Sequence, residues 1–272
     1  MSQLDTGIMN RKTVGQMIDQ YDEAIRTARA GYAMLQKSQE MMREAMGAEG
    51  RSSMFSVVEG YREPSELIKE IETKLRRDAW KSIINMTGVR RILSVKRAEE
   101  LDKQLENWKD MPEITFENVM DTVNSMVGQS KDFLRDAIVE VYEFLRPGAY
   151  AQNKYKTNQK NGRWELGKKI IKSNIVNRGY SGNYQLNYYY EKHFSAIDKV
   201  FYALDSKGFP ETYRSPLIDK INTTSMSDGI GETEYFKFKC YGNGNLHIEF
   251  KRMDLVTQLN RIASGATLRG SK

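Results

Sequence analysis

Between Tyr150 and Lys192 the chain places nine cations, Lys154, Lys156, Lys160, Arg163, Lys168, Lys169, Lys172, Arg178 and Lys192, against only Glu165 and Glu191. The formal net charge of the whole chain is +6, so this stretch carries all of the excess. It also holds seven of the fifteen tyrosines, Trp164 and seven asparagines. Ammonium and guanidinium groups hold phosphates, flat rings stack on bases, and amides reach base edges. The candidate contact residues are therefore Lys154, Tyr155, Lys156, Lys160, Arg163, Trp164, Lys168, Lys169, Lys172 and Arg178. A solvated basic loop has the same composition, so the stretch localises a surface without naming its partner.

Catalytic chemistry has fewer candidates. Glu249-Phe250-Lys251 lies on an expected strand, with Asp228 upstream. Carboxylates converging with a lysine can hold Mg²⁺ and polarise a water for phosphodiester cleavage. The plainer alternative pairs Glu249 with Lys237 across a hairpin. Gly162 to Lys169 resembles a phosphate-binding loop, but Lys169 stands where the magnesium-binding Ser or Thr is needed. Ile170-Ile171 then reads as strand where that loop requires a helix. His193, His247 and Cys240 are too few for a structural zinc site. The expectation is a protein that is not an enzyme and uses no metal or cofactor.

The elements that must position these residues divide into a helical and a mixed half. Thr13 and Gln16 have capping-box spacing. From there Val14, Ile18, Tyr21, Ile25, Ala28, Tyr32 and Leu35 step alternately by four and three, and Met42 and Met46 resume the pattern. This heptad seam predicts a helix about 50 Å long. The seam serves either an intrachain hairpin or an arm that pairs between subunits, with Val14, Ile18, Tyr21, Ile25, Tyr32 and Leu35 as the oligomerisation residues. Pro64-Ser65 opens a second helix carrying Leu67, Ile71, Leu75 and Trp80, with Ile83 or Ile84 on its apolar face. Shorter helical pieces follow around Val89 to Leu93 and Ala98 to Asn107. Thr115 caps one long helical pattern that runs to Leu145, stopped by Pro147-Gly148.

In the second half Asn187 caps a helix with Phe194, Ile197, Val200, Phe201 and Leu204. A hairpin follows, and its loop length sets its register. A two-residue Asn243-Gly244 turn would put the apolar residues of its strands on opposite faces. A three-residue loop Gly242-Asn243-Gly244, with Gly244 left-handed, pairs Phe236 with Phe250, Phe238 with Ile248 and Cys240 with Leu246 on one face. The other face then aligns Lys239 with His247 and Lys237 with Glu249. A last helix carries Leu255, Val256, Leu259 and Ile262. The fold class is α+β, with an extended helical arm over 1–50, a helical domain over 51–148, and the basic segment plus an α+β domain over 149–272.

At 272 residues the chain can bury a sizeable core, and 29% charged residues with a mean hydropathy of −0.65 suit a surface that awaits a partner. The lone Cys240 excludes an intrachain disulfide. With neither a signal-like start nor an eighteen-residue apolar run, the expectation is a soluble protein of the bacterial cytoplasm with no membrane partner.

Two stretches carry a family resemblance. One is Arg77-Asp78-Ala79-Trp80 through Thr87-Gly88-Val89, followed by Pro112 to Phe116. The other runs from Tyr241-Gly242-Asn243-Gly244-Asn245-Leu246-His247 through Phe250-Lys251-Arg252 to Leu259-Asn260. Both resemble the phage and prophage family called domain of unknown function 4942, and Trp164 to Ile171 fits its middle. The resemblance spans Ile68 to Ile262. Some members are joined to adenine methyltransferase domains, which implies a DNA-related role. This chain has no methyltransferase motif, so that role would be binding. By analogy with phage accessory proteins that block host nucleases, the first expectation is an oligomeric counter-defence factor that binds host DNA-targeting machinery. The alternative is a DNA-binding module using 150–192, and the third is a magnesium-dependent nuclease.

Overall fold

The computed structural model describes residues 13–46, 64–107, 111–147, 159–160, 163–179, 181–208 and 215–267. The chain falls into two compact units, Met1–Gly88 with Glu100–Val127, and Val89–Glu99 with Gly128–Lys272. The first is helical and the second holds an antiparallel sheet, so the α+β class stands. No described helix is long and apolar enough to cross a membrane.

In the first unit, α1 (Val14–Met46) opens on the expected capping box. The Thr13 amide donates to Gln16 Oε1 at 2.9 Å, and the Gln16 amide donates to Thr13 Oγ1 at 3.2 Å. α1 packs along α2 (Pro64–Thr87), and Arg29 Nε donates to Glu72 Oε1 across the pair at 2.6 Å. The seam residues Val14, Ile18, Tyr21, Ile25, Ala28 and Tyr32 are half-buried, so the seam is used within the chain. It is not filled, because no described residue of α1 is fully buried and Leu35 is exposed. The 33-residue α1 also outruns the 24-residue α2.

Trp80, Ile83 and Ile84 of α2 are buried, as are Leu105 of α3 (Val95–Glu106), Met111, Ile114, and Val119 of α4 (Phe116–Gly128). Trp80 Nε1 donates to the Pro112 carbonyl at 2.9 Å, so the ring's polar atom is satisfied where its body is buried. Thr115 caps α4 by accepting from the Asn118 amide at 3.1 Å. The single long helix expected from Thr115 to Leu145 is instead two, broken at Gly128-Gln129 before α5 (Ser130–Leu145). Glycine costs a helix about 1 kcal/mol relative to alanine, and here the chain leaves one unit for the other. α5 therefore does not group with the helical half: Ala137, Ile138, Val141, Tyr142 and Leu145 lie in the core of the second unit.

That unit contains β1 (Gln159–Lys160), β2 (Arg163–Trp164), β3 (Lys169–Lys172), β4 (Val176–Arg178), β5 (Tyr184–Leu186), β6 (Ile230–Glu232), β7 (Phe236–Cys240) and β8 (Leu246–Phe250). β1–β2 and β4–β5 are two-stranded ribbons, and the main sheet runs β3-β8-β7-β6. The β7–β8 hairpin has the register set by the three-residue loop, pairing Phe236 with Phe250, Phe238 with Ile248 and Cys240 with Leu246. Gly244 has φ +85°, a conformation open to glycine and strained for other residues.

The inner face of the sheet shares one core with α5, α6 (Glu191–Leu204), α7 (Pro216–Asn222) and α8 (Met253–Thr267). Phe201 of α6 is central to it, with ring centroids 4.9 Å from Phe236 and 5.5 Å from Phe250. β6 fits because it carries Gly231: a Cβ there would lie 2.2 Å from the Phe238 ring. The outer face meets solvent, as antiparallel sheets permit.

One buried acid holds α6 to α7. Asp198 Oδ2 accepts from the Leu217 amide at 2.8 Å, and burial raises the carboxyl to about 6. A raised aspartate favours its neutral form, so this contribution is full below the unfolded value near 4 and is lost as pH rises through about 6. About 2 pKa units is on the order of 3 kcal/mol. Asp198→Asn is expected to flatten the fall in stability between pH 4 and 7, measured by denaturant unfolding at several pH values. An unchanged slope would remove Asp198 as its source.

Candidate nucleic-acid interface

The described residues of the basic stretch do not form one exposed surface. Lys154, Tyr155 and Lys156 lie outside the described residues. Lys160 and Arg163 are Cα partners across the β1–β2 ribbon. Trp164, expected to stack on bases, is only 7% exposed. Its ring meets Tyr142 edge-on at 5.1 Å, and the Tyr142 hydroxyl donates to the Trp164 carbonyl at 2.7 Å. Just beyond, Asn260 of α8 clamps Leu166: its Oδ1 accepts from the Leu166 amide and its Nδ2 donates to the Leu166 carbonyl, both at 2.9 Å. Trp164 is thus a core anchor, and its stacking role is withdrawn.

Lys172 is also used inside the unit. Its Nζ donates to the Phe144 carbonyl at 2.6 Å and sits 4.4 Å from the Phe144 ring centre. Half-buried and with its ammonium already donated to that carbonyl, it is poorly placed to contact a phosphate, and burial pushes its pKa down. His193 stacks on the same ring at 4.5 Å. Lys192 pairs with Glu99 at 2.7 Å.

Lys168, Lys169 and Arg178 remain on the surface. β3 lies along β8, a pairing that the hairpin pattern did not reveal. It creates an outward row of Cα partners, Lys169, Glu249, Lys237 and Glu232, and beside it a second, Ile171, His247, Lys239 and Ile230. The expected Glu249–Lys237 ion pair is replaced. Glu249 accepts Lys168 at 3.1 Å and Lys169 at 3.0 Å, while Lys237 lies 3.8 Å from Glu232. The two lysines hold the Glu249 carboxyl below its ordinary range. Lys251 donates to Glu232 at 2.6 Å and to the Thr233 carbonyl at 3.0 Å. Five lysines (168, 169, 237, 239 and 251) therefore share this side with two glutamates. Exposed ion pairs contribute only about 0–1 kcal/mol, so a phosphate can compete for these ammonium groups.

The nuclease triplet does not converge. Asp228 accepts from the Ile230 amide at 3.3 Å, at the opposite end of β6 from Glu232. Asp228 itself lies in the turn before β6, not on the strand that carries the Glu249 row. Among the described residues no three His, Cys, Asp or Glu side chains are placed to share a metal ion. Incubation with supercoiled DNA and Mg²⁺ is expected to leave the DNA intact. Nicking that disappears in a folded Glu249→Gln variant would overturn this.

The hairpin's alternation already marked Lys237 and Lys239 as outward. The missing signal was the strand that lies beside it. The resemblance noted in the sequence has a counterpart over nearly the same residues. No curated protein and no solved structure matches the chain. The family model described as domain of unknown function (DUF4942) matches residues 72–267, most of the chain, and the protein belongs to that family.

Proposed function

We propose that the chain is a non-enzymatic interaction protein that self-associates through α1 and binds DNA through the outer face of the β3-β8-β7-β6 sheet. The observation that carries the DNA reading is the excess of lysine over glutamate on that face, built on strands whose other side is anchored in the core. Lysines on fixed strands, interleaved with Glu249 and Glu232 but in excess of them, offer phosphates preformed positive charge. Self-association is supported by the half-covered seam of α1. A two-helix hairpin buries one stripe, and a second copy of the same hairpin completes a four-helix arrangement.

The test is a fluorescence anisotropy titration of a labelled duplex at low salt. Saturable binding is expected, and no binding by the folded protein would contradict the reading.

The exposed apolar residues of α1, Met34 at 73% and Met41 at 61%, suit another protein as well as a second copy, and so support a second reading with a protein target. In it the chain is a phage counter-defence factor that blocks a host DNA-targeting nuclease. Stoichiometric inhibition of such a nuclease by a protein that does not itself bind DNA would select that reading.

A further inference from the structure

From Ser173 to Tyr190 the sequence contains no aspartate or glutamate, and neither does Lys237 to His247. The fold brings these two acid-free segments together. The Gly244 carbonyl in the β7–β8 turn accepts from the Ile175 amide at 2.8 Å and the Val176 amide at 3.2 Å. The Arg178 guanidinium lies over Gly242, where an added Cβ would be 3.0 Å from its Nη2. On the other side of β4, the Asn187 amide donates to the Ile175 carbonyl at 2.8 Å. Asn187 and the β7–β8 turn are thus separated by about two strand spacings, roughly 10 Å.

Tyr188 and Tyr189 start from this point and are 78% and 83% exposed. They do not sit on a loose loop. They form a 3₁₀ turn whose cap, Asn187 Oδ1, accepts from the Tyr189 amide at 3.2 Å. Held on a fixed turn, the two rings meet each other edge-on with centroids 6.1 Å apart and otherwise bury little within the unit, so most of their ring surface is available to a planar ligand. At the other end Tyr241 packs against His247 at 4.4 Å, with Lys239 Nζ 5.3 Å from the Tyr241 ring centre. On the ribbon beside the turn, Asn177 and Gln185 pair across β4–β5 with both side chains exposed.

We infer that this surface binds single-stranded nucleic acid, with bases stacked on Tyr188 and Tyr189 and the backbone directed by Arg178 and Lys239. Stacking selects a single strand, because duplex bases keep their faces covered by one another. The exposed amides of Asn177 and Gln185 are placed to reach base edges, while the acid-free segments repel no phosphate. The inference rests on the nucleic-acid reading above and adds a strand preference and a site that shares only Lys239 with the lysines of the sheet face.

The test compares a labelled 15-nucleotide single strand with a blunt duplex of the same length, by anisotropy at fixed salt. Three proteins are used: the parent, a Tyr188→Ala/Tyr189→Ala variant and a Tyr188→Phe/Tyr189→Phe variant. Stacking on one ring corresponds to roughly five- to hundred-fold in affinity. The alanine pair is expected to weaken single-strand binding at least tenfold and duplex binding less than twofold, while the phenylalanine pair retains both. Both positions are solvent-exposed, so circular dichroism of the variants should match the parent. Single-strand affinity unchanged in the alanine pair overturns this inference and leaves the lysine-row reading standing if the duplex still binds. A parent that binds neither nucleic acid overturns both, and the tyrosines then belong to a protein contact.

Discussion

Replacing Met34, Leu35 and Met41 with glutamate is expected to convert the protein from an oligomer to a monomer in light scattering at micromolar concentration. Met34 and Met41, seven residues apart on one face of α1, flank the seam beside its residue Leu35, and all three are exposed. Burying such a side chain contributes about 1.5–3 kcal/mol. In a two-fold interface each substitution acts twice and sets like charges against each other. Affinity should fall by at least roughly a thousandfold, the equivalent of about 4 kcal/mol. Glutamate is a good helix former, so the helix content of α1 should persist. Ile18→Asp and Ile25→Asp would be poorer probes, because both positions are half-buried within the chain and their loss would also strike the α1–α2 packing. A parent protein that is already monomeric would confine the seam to the hairpin.

The second large effect is on DNA. The variant Lys168→Glu/Lys169→Glu/Lys237→Glu/Lys239→Glu should lose duplex affinity by more than roughly a hundredfold near physiological salt, since every lost phosphate contact also forfeits released counterion. The substitutions lie on the solvent side of the sheet, away from Phe236, Phe238, Ile248 and Phe250 in the core. Thermal unfolding should therefore remain cooperative. Affinity within about twofold of the parent would place the DNA contact elsewhere.

Much of this architecture could be read from local chemistry. The α1 capping box needs only Thr13 and Gln16, and the hairpin register follows from a loop of three residues whose last is Gly244. Both are contacts between residues close in sequence, where spacing alone determines geometry. What escaped detection depends on partners far along the chain. β3 is recognisable as a strand in Ile170-Ile171, but nothing in those residues says that it pairs with β8, and so Glu249 was assigned to Lys237 instead of Lys168 and Lys169. β6 has no apolar alternation, because the Phe238 ring occupies the space that a side chain at Gly231 would fill. Trp164 read as a stacking ring because it sits among cations, whereas Tyr142, 22 residues earlier, draws it into the core. The helix break at Gly128 lies inside an apolar period that continues across it, so periodicity gave no sign of the change of unit.

If lysines fixed on the outer face of the sheet meet phosphates, duplex binding by the unmodified protein must weaken as salt rises. Three or four phosphate contacts give a slope of about −3 to −4 in a plot of log affinity against log salt concentration, from about 0.9 per phosphate. A slope in that range is expected. A slope near zero, or no binding even at low salt, would contradict it.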